Sequence, residues 1–551
     1  MVLTGAEILV RCLKEQGVDT IFGYPGGTVL DIYDALYRDG TIRNVLTAHE
    51  QGASHAADGY ARATGKTGVV LATSGPGATN LVTGIATANM DSVPLVAITG
   101  NVNVPSLGRD SFQEVDIAGI TMPITKHNYI VKDIRELADV IREAFHIAET
   151  GRKGAVLIDI PKNLQTETCE FEERTASRYI PKPVEQEKLT EVVRALSVSK
   201  RPLIMVGGGC IRSGATDNLL AFAEKLDAPV SSTLMGMGAY PASGERFLGF
   251  IGMHGSDASA QAFLRADTII ACGTRFSDRV TGDRVKFHAG KTVIQFDIDT
   301  AEIGKNIPAD ISVMADANEI LRTLLPVMEK GSHADWMKEV AAYKDYDRKN
   351  LVPTIPAYRI ISALNTLTDA DTPVATDVGQ HQMWTAQYYA FEKPRTFITS
   401  GGLGTMGFGL GAAIGAALGT GRKTVLITGD GSFHMNLNEL CTAVTQRVPL
   451  VILLMDNNTL GMVRQWQTLF YGKRYAQTTL NRSTDYVRLA EAFGADGLLL
   501  EKEEDILPVL TEAFRRADNG PVLVDCRIGI DDMVLPMIPP GKSYSDIILK
   551  I

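Results

Sequence analysis

A chain of 551 residues with 45% apolar and 21% charged side chains has a globular balance and room for roughly three or four domains. Its net charge of −10, with Lys and Arg in no basic stripe, argues against a nucleic-acid partner, and no apolar run reaches the length of a membrane span. Six scattered cysteines (Cys12, Cys169, Cys210, Cys272, Cys441, Cys526) form no CxxC pair, and the N-terminus lacks a basic-then-apolar leader, so reduced thiols and a cytoplasmic location are expected.

Thr4-Gly-Ala-Glu7 reads as a capping box opening an amphipathic helix. A first block, residues 1–165, then alternates helical patterns with apolar runs at Ile21–Tyr24, Gly68–Thr73, Pro94–Thr99 and Ala155–Ile160, which read as buried parallel strands. Glu50 follows the short run Asn44–Ala48, at a strand end. For an arbitrary Glu, a solvated helix start is the commoner role. Residues 166–190, rich in Glu, Thr, Pro and Lys, read as a linker.

The second block, 191–328, carries strands at Pro202–Val206, Thr268–Cys272 and Thr292–Phe296, and a polar stretch at 329–354 reads as another linker. The third block, 355–530, has strands at Pro373–Thr376, Thr424–Thr428, Leu450–Leu454 and Pro521–Asp525, and a tail of 531–551 is expected near the active site. This alternation predicts an α/β protein of three doubly wound parallel sheets, with related first and third blocks around a different middle.

The strongest motif lies in the third block. One apolar strand ends at Gly429-Asp430-Gly431, and the next, one crossover later, ends at Asp456-Asn457. In a parallel sheet both ends lie on the ligand-binding edge. Asp430 and Asn457 offer oxygens to a hard cation, and the N–H groups of the glycine turn face an anion. Such a pair suits Mg²⁺ and a diphosphate; two ordinary βα turns are the bland alternative.

This pair resembles the motif of the thiamine-diphosphate decarboxylase and carboligase superfamily. That resemblance implies Mg²⁺ ligands Asp430, Asn457 and the Thr459 carbonyl, with Gly429, Gly431, Ser432, Gln380, His381, Gly461 and Met462 around the diphosphate. It implies that Met406 bends the cofactor and that the Gly404 carbonyl accepts from its 4′-amino group. Tyr24, Pro25, Gly26, Pro76 and Asn80 complete the pyrimidine half. There Glu50 hydrogen-bonds N1′, which makes the 4′-imino form accessible to take the C2 proton. A Gly-rich turn with a core Met explains Gly404 and Met406 individually, but explains the ensemble poorly.

Gly23–Gly27, Thr73–Asn80, Asp110–Glu114, Asp159–Lys162, Gly379–Trp384, Gly461–Trp466 and Met537–Gly541 occur in a fixed order that is similar to the biosynthetic acetohydroxyacid (acetolactate) synthase catalytic-subunit family. The resemblance covers nearly the whole chain. It implies decarboxylation of pyruvate and condensation of the two-carbon fragment with pyruvate or 2-ketobutyrate, the first common step toward branched-chain amino acids.

The same resemblance implies FAD in the middle block, held by Arg152, Gly207, Gly208, Gly209, Thr233, Leu234, Met235, Gly252, Met253, His254, Gly273, Arg275, Asp278, Arg279, Asp297 and Asp316. The residues alone leave FAD open, because no GxGxxG fingerprint is present. Arg279, Trp466 and Phe112 are expected to select the acceptor, with Gln113 and Lys162 as further active-site groups; a surface Arg and a core Trp are the plainer readings. A homodimer or dimer of dimers with active sites between chains, and a separate small regulatory subunit, complete the implied assembly. Asp456 stands where the superfamily has Asn, Gly411 where Pro is common, and Arg109 where a small residue is frequent. Competing expectations are a catabolic acetolactate synthase, a pyruvate oxidase, or a non-catalytic cofactor-binding paralogue.

Overall fold

The computed structural model describes residues 1–176 and 180–550. It contains three six-stranded sheets, each parallel throughout, and one small antiparallel pair joining Val2–Thr4 to Thr168–Glu170. Parallel strands buried on both faces require apolar side chains on both sides, which is why they read as unbroken apolar runs in the sequence.

In chain order the first sheet uses Thr20–Tyr24, Arg43–Leu46, Gly68–Ala72, Leu95–Asn101, His127–Ile130 and Ala155–Pro161. The third uses Val374–Thr376, Phe397–Ile398, Thr424–Gly429, Leu450–Asp456, Asp496–Leu500 and Val522–Arg527. Numbered within each sheet, both run 2-1-3-4-6-5 across the sheet, so the likeness expected between the outer blocks is topological identity. The middle sheet, from Pro202–Val206, Val230–Ser232, Phe247–Phe250, Thr268–Cys272, Thr292–Asp297 and Ile311–Met314, runs 3-2-1-4-5-6, the order of dinucleotide-binding sheets. Strand order reverses between the first and third strands of the outer sheets and between the first and fourth of the middle one. Crevices open at those points, beyond the strands' carboxyl ends.

The strands that sequence periodicity does not single out are mostly short edge strands. His127–Ile130, Ile311–Met314 and Asp496–Leu500 are only partly buried and carry mixed polar and apolar residues, so they lack the continuous apolar signature. The stretch 329–354, read as a linker, contains the helix Ala334–Asn350. Its sequence looks polar because it buries only Trp336 and Val340, which join a core with Leu203, Phe263 and Ile269 of the middle sheet layer. Within the other stretch read as a linker, 166–190, residues 177–179 lie outside the described residues, while Thr168–Glu170 is a strand and a helix begins at Gln186.

The first and third sheets meet through two helices, Glu50–Thr64 and Phe408–Thr420. Their backbones approach so closely that a Cβ on Gly415 would lie 1.8 Å from the Ala56 carbonyl oxygen, and one on Gly59 would lie 2.1 Å from that of Ala412. Gly411 belongs to the same seam, its absent Cβ 2.8 Å from the Gly52 oxygen. The departure at Gly411 is therefore a packing requirement; Arg109 is exposed on a loop.

The C-terminal tail returns across the middle block. Gln465 Nε2 donates to the Val534 carbonyl at 3.0 Å, the Ile538 N–H donates to the Met253 carbonyl at 2.7 Å, and the Tyr544 hydroxyl donates to the Val280 carbonyl.

Candidate functional site

The glycine turn Gly429–Ser432 sits at the reversal point of the third sheet, between Val374–Thr376 and Thr424–Gly429. A pocket there is lined by Gln380, His381, Met406, Gly429, Asp430, Gly431, Ser432, Asn457, Thr459, Gly461 and Met462, bringing together nearly all the residues assigned to the diphosphate half. Glycine is required at several points: a Cβ on Gly461 would lie 2.0 Å from Gln380 Oε1, and one on Gly431 would lie 2.7 Å from Leu460.

The donor set fits a hard cation beside an anion. Asp430 is buried, and burial together with the neighbouring Asp456 carboxylate pushes its carboxyl up to about 7. A divalent cation would offset both effects. Asn457 lines the same pocket, and its Oδ1 accepts the Thr459 N–H at 3.2 Å. The described residues hold no cluster of three His, Cys, Asp or Glu side chains, which agrees with a site completed by amide and backbone oxygens and by the ligand's own phosphates. Asp456, beside Asp430, also pairs with Arg527 at 2.6 Å and does not line the pocket, whereas Asn457 does.

His381 is buried with Nε2 lacking a partner, and burial lowers its pKa to about 3, so the ring is neutral. The neutral ring carries one N–H, and the Asp377 carbonyl accepts it, so a phosphate oxygen would have to compete for that proton. Gln380 is differently committed. Its Nε2 donates to the Asp532 carbonyl at 2.6 Å and to Gln465 Oε1 at 3.1 Å, which leaves its backbone N–H, at the first residue of a helix, as its means of contacting an anion.

The residues assigned to the pyrimidine half lie in the first block. Glu50 is the first residue of the helix Glu50–Thr64, capped by His49, whose Nδ1 accepts from the Gln51 N–H at 3.0 Å. Asn80 Nδ2 donates to Glu50 Oε2 at 3.0 Å. Tyr24 ends the first strand of that sheet, Gly26 packs against Thr73, and Pro76 opens the short helix Pro76–Asn80. Gln113 adopts φ 58° and its carbonyl crowds Gly75, which brings its loop to the same edge, whereas Phe112 and Lys162 are exposed there. Among the described residues lining the Asp430 pocket none comes from this half.

A cavity of about 870 Å³ opens at the reversal point of the middle sheet, and every residue assigned to FAD lines it, from Arg152 and the Gly207–Gly209 turn to Asp297 and Asp316. A Cβ on Gly207 would lie 2.1 Å from the Gly273 carbonyl oxygen, so the two turns flanking the crevice fit only as glycines. Burial pushes Asp297, at the end of its strand, up to about 6. The cavity also reaches Gly404, Met406, Met462 and Trp466, so it adjoins the diphosphate pocket.

Sequence reasoning missed Asp91, Lys153 and Arg212, which line the same cavity. Asp91 is buried, accepts the Gly401 and Gly402 N–H groups at 3.0 and 2.7 Å, and pairs with Arg62 at 3.0 Å. It thus ties the first block to the loop bearing Gly404 and Met406. Only Arg212, three residues beyond Gly209, carried a local signal; the others meet the cavity through tertiary contacts.

Comparison with known proteins accords with this geometry. Residues 3–120 match the family described as thiamine pyrophosphate enzyme, N-terminal TPP binding domain. Residues 189–324 match the central domain and 377–526 the C-terminal TPP binding domain of such enzymes. The chain is similar to the acetolactate synthase isozyme 2 large subunit of Escherichia coli K12, with 43% identity over 100% of both chains. It is 44% identical to a probable acetolactate synthase large subunit of Methanocaldococcus jannaschii, over 100% of this chain and 96% of that one. It is 45% identical to the acetolactate synthase large subunit of Corynebacterium glutamicum, over 99% of this chain and 90% of that one.

Proposed function

Because the chain belongs to the acetolactate synthase large-subunit family of thiamine pyrophosphate enzymes, we propose that it is the catalytic chain of an acetolactate synthase, joining the two-carbon fragment of pyruvate to a second 2-keto acid with loss of CO₂. The single observation that carries the reading is the placement of Gly429–Ser432, Asp430 and Asn457 around one pocket at a sheet reversal, in a chain aligned end to end with these relatives. Thiamine diphosphate, when bound, supplies the electron sink that makes decarboxylation of a 2-keto acid feasible.

The chain's residues divide the remaining work. Asp430, Asn457 and the Thr459 carbonyl would hold Mg²⁺, and His381, Ser432 and the backbone N–H groups of the glycine turn would receive the diphosphate. Glu50, braced by Asn80, would hold the proton shared with N1′ of the aminopyrimidine. Since Glu50 does not line the Asp430 pocket of its own chain, a second copy would supply Glu50 to each diphosphate half, making a homodimer the smallest working unit. The large-subunit names of the relatives support a separate small regulatory subunit as a further partner.

FAD suits the middle cavity in size and strand order, with glycine turns for the pyrophosphate and acidic strand ends for ribose. The net reaction transfers no electrons, so a structural role is assigned to it. The residues between the two pockets, Arg279 and Trp466, would receive the acceptor: Arg279 can fork onto a carboxylate, and Trp466 offers an apolar wall. The test is the product mixture from pyruvate with 2-ketobutyrate, with and without thiamine diphosphate, Mg²⁺ and FAD. Both acetohydroxy acids should form only when thiamine diphosphate and Mg²⁺ are present; acetate with reduced flavin would indicate an oxidase instead.

A further inference from the structure

Glu439 is fully buried in the third block, nine residues beyond Asp430 along the chain, yet its carboxylate reaches into the first block. Oε1 accepts the His49 N–H at 3.0 Å and Oε2 accepts the Ala48 N–H at 3.2 Å, the two backbone donors immediately before Glu50. The Thr442 hydroxyl donates to Oε2 at 2.6 Å and fixes the carboxylate from its own side. Gly52 makes the approach possible: a Cβ there would lie 2.0 Å from Oε1. Burial of the carboxyl opposes its ionisation, whereas the three donors and the N-terminal end of the helix Glu50–Thr64 favour it.

We propose that Glu439 is a positioning residue for Glu50: by accepting both N–H groups that lead into the helix, it sets the direction in which the Glu50 carboxylate leaves the first residue of that helix. Only a carboxylate accepts both, because an amide of the same shape offers one acceptor and a competing donor. The arrangement also joins the two halves of the chain physically. The short helix Asp430–Asn436 begins at the metal site and leads, through the turn Leu437–Glu439, to the group that holds Glu50.

This inference rests on the assignment of Glu50 to the aminopyrimidine, and the test separates the two. The Glu439→Gln, Thr442→Val and Glu50→Gln variants are compared by three measurements. These are amide hydrogen exchange of the segment spanning Ala48–Gly52 in the cofactor-free protein, the Kd for thiamine diphosphate, and the rate at which the C2 proton of the bound cofactor exchanges with solvent. Glu439→Gln should accelerate amide exchange of that segment and slow C2 exchange about 100-fold, the scale of a displacement of roughly 1 Å at a reacting group, with little change in Kd. Thr442→Val, which leaves the carboxylate in place without its brace, should move both exchange rates in the same directions by a smaller factor and keeps the test open if Glu439→Gln does not fold. Unchanged C2 exchange in the folded Glu439→Gln or Thr442→Val variant, with Glu50→Gln slow, overturns the positioning role alone. Unchanged C2 exchange in Glu50→Gln overturns the role of Glu50 itself, and the inference with it.

Discussion

The guanidinium carbon of Arg279 lies 5.9 Å from the centre of the Trp466 ring, a contact between the middle block and the third block at the junction of the two cavities. Trp466 also meets Phe470 edge to face, with ring centres 5.9 Å apart. Among the described residues, Arg279 pairs only with its exposed neighbour Asp278, at 3.3 Å, and Trp466 Nε1 has no hydrogen-bond partner. Together they offer a charge and an apolar face to a small 2-keto acid. Trp466→Leu should reduce the preference for 2-ketobutyrate over pyruvate as acceptor by about 10-fold, the low end of what one methyl group is worth in an apolar pocket. Arg279→Lys keeps the charge but loses the fork, so it should raise the acceptor KM more than it lowers kcat. Product ratios under competition check both; an unchanged ratio in Trp466→Leu removes Trp466 from acceptor choice.

Asp430 is the only carboxylate among the three groups assigned to Mg²⁺. Asp430→Asn should therefore raise the Mg²⁺ concentration needed for thiamine diphosphate binding by at least about 10-fold, while the apo protein keeps its fold. Titration of Mg²⁺ at fixed thiamine diphosphate, followed by tryptophan fluorescence, reads this directly. The same half-saturation in parent and variant would contradict the assignment.

Asp347 supplies a pH dependence unrelated to catalysis. Its Oδ2 accepts the Ala258 N–H at 2.9 Å while Oδ1 is buried without a partner, and burial, with Asp257 nearby, pushes the carboxyl up to about 6. A pKa raised on folding means that the native state holds the proton more tightly than the unfolded chain does. The contribution to stability is whole below about pH 4, where both states are protonated, and is lost as pH rises through about 6. Asp347→Asn keeps the acceptor for Ala258 and removes the ionisation. It should raise the thermal midpoint at pH 7.5 relative to the parent and give no such gain at pH 4.5. Equal gains at both pH values would show that the charge is not the cause.

The seam between Glu50–Thr64 and Phe408–Thr420 predicts a stability effect opposed to helix propensity. Gly415→Ala should gain up to about 1 kcal/mol from propensity, yet the added Cβ meets the Ala56 oxygen at 1.8 Å, and overpacking of this kind costs about 1–3 kcal/mol or more. A lower thermal midpoint is expected. Gly27→Ala, where a Cβ meets nothing within 4 Å, is the control and should be nearly neutral.

Much of the third block was legible before any coordinates. Strands such as Thr424–Gly429 and Leu450–Asp456 are buried on both faces, so each is written as a continuous apolar run, and each ends at a polar turn whose residues face the ligand edge. Asp430 and Asn457 are legible in this way, because strand ends in parallel sheets gather on one edge whatever the detailed packing, whereas the Gly207–Gly209 turn is legible only through the family resemblance. The helix Ala334–Asn350 shows the limit of that signal. With two buried residues in seventeen it looks like a linker, and only the surface it covers makes it a helix.

The sequence by itself determined the α/β class and brought Asp430 and Asn457 to one sheet edge as candidates for a cation and a diphosphate, since these depend on local patterns a few residues long, whereas Glu50 was singled out through the family resemblance. Tertiary structure alone decided how those pieces relate. It set the matching 2-1-3-4-6-5 order of the outer sheets and the reach of Asp91 to the Gly401–Gly402 N–H groups. It also set the grip of Glu439 on the N–H groups before Glu50, 390 and 391 residues away in the chain. The reason is physical: a buried carboxylate is stable only where it finds donors. Which backbone amides those are depends on how the glycine-lined helices let the two halves approach, a distance no local pattern encodes.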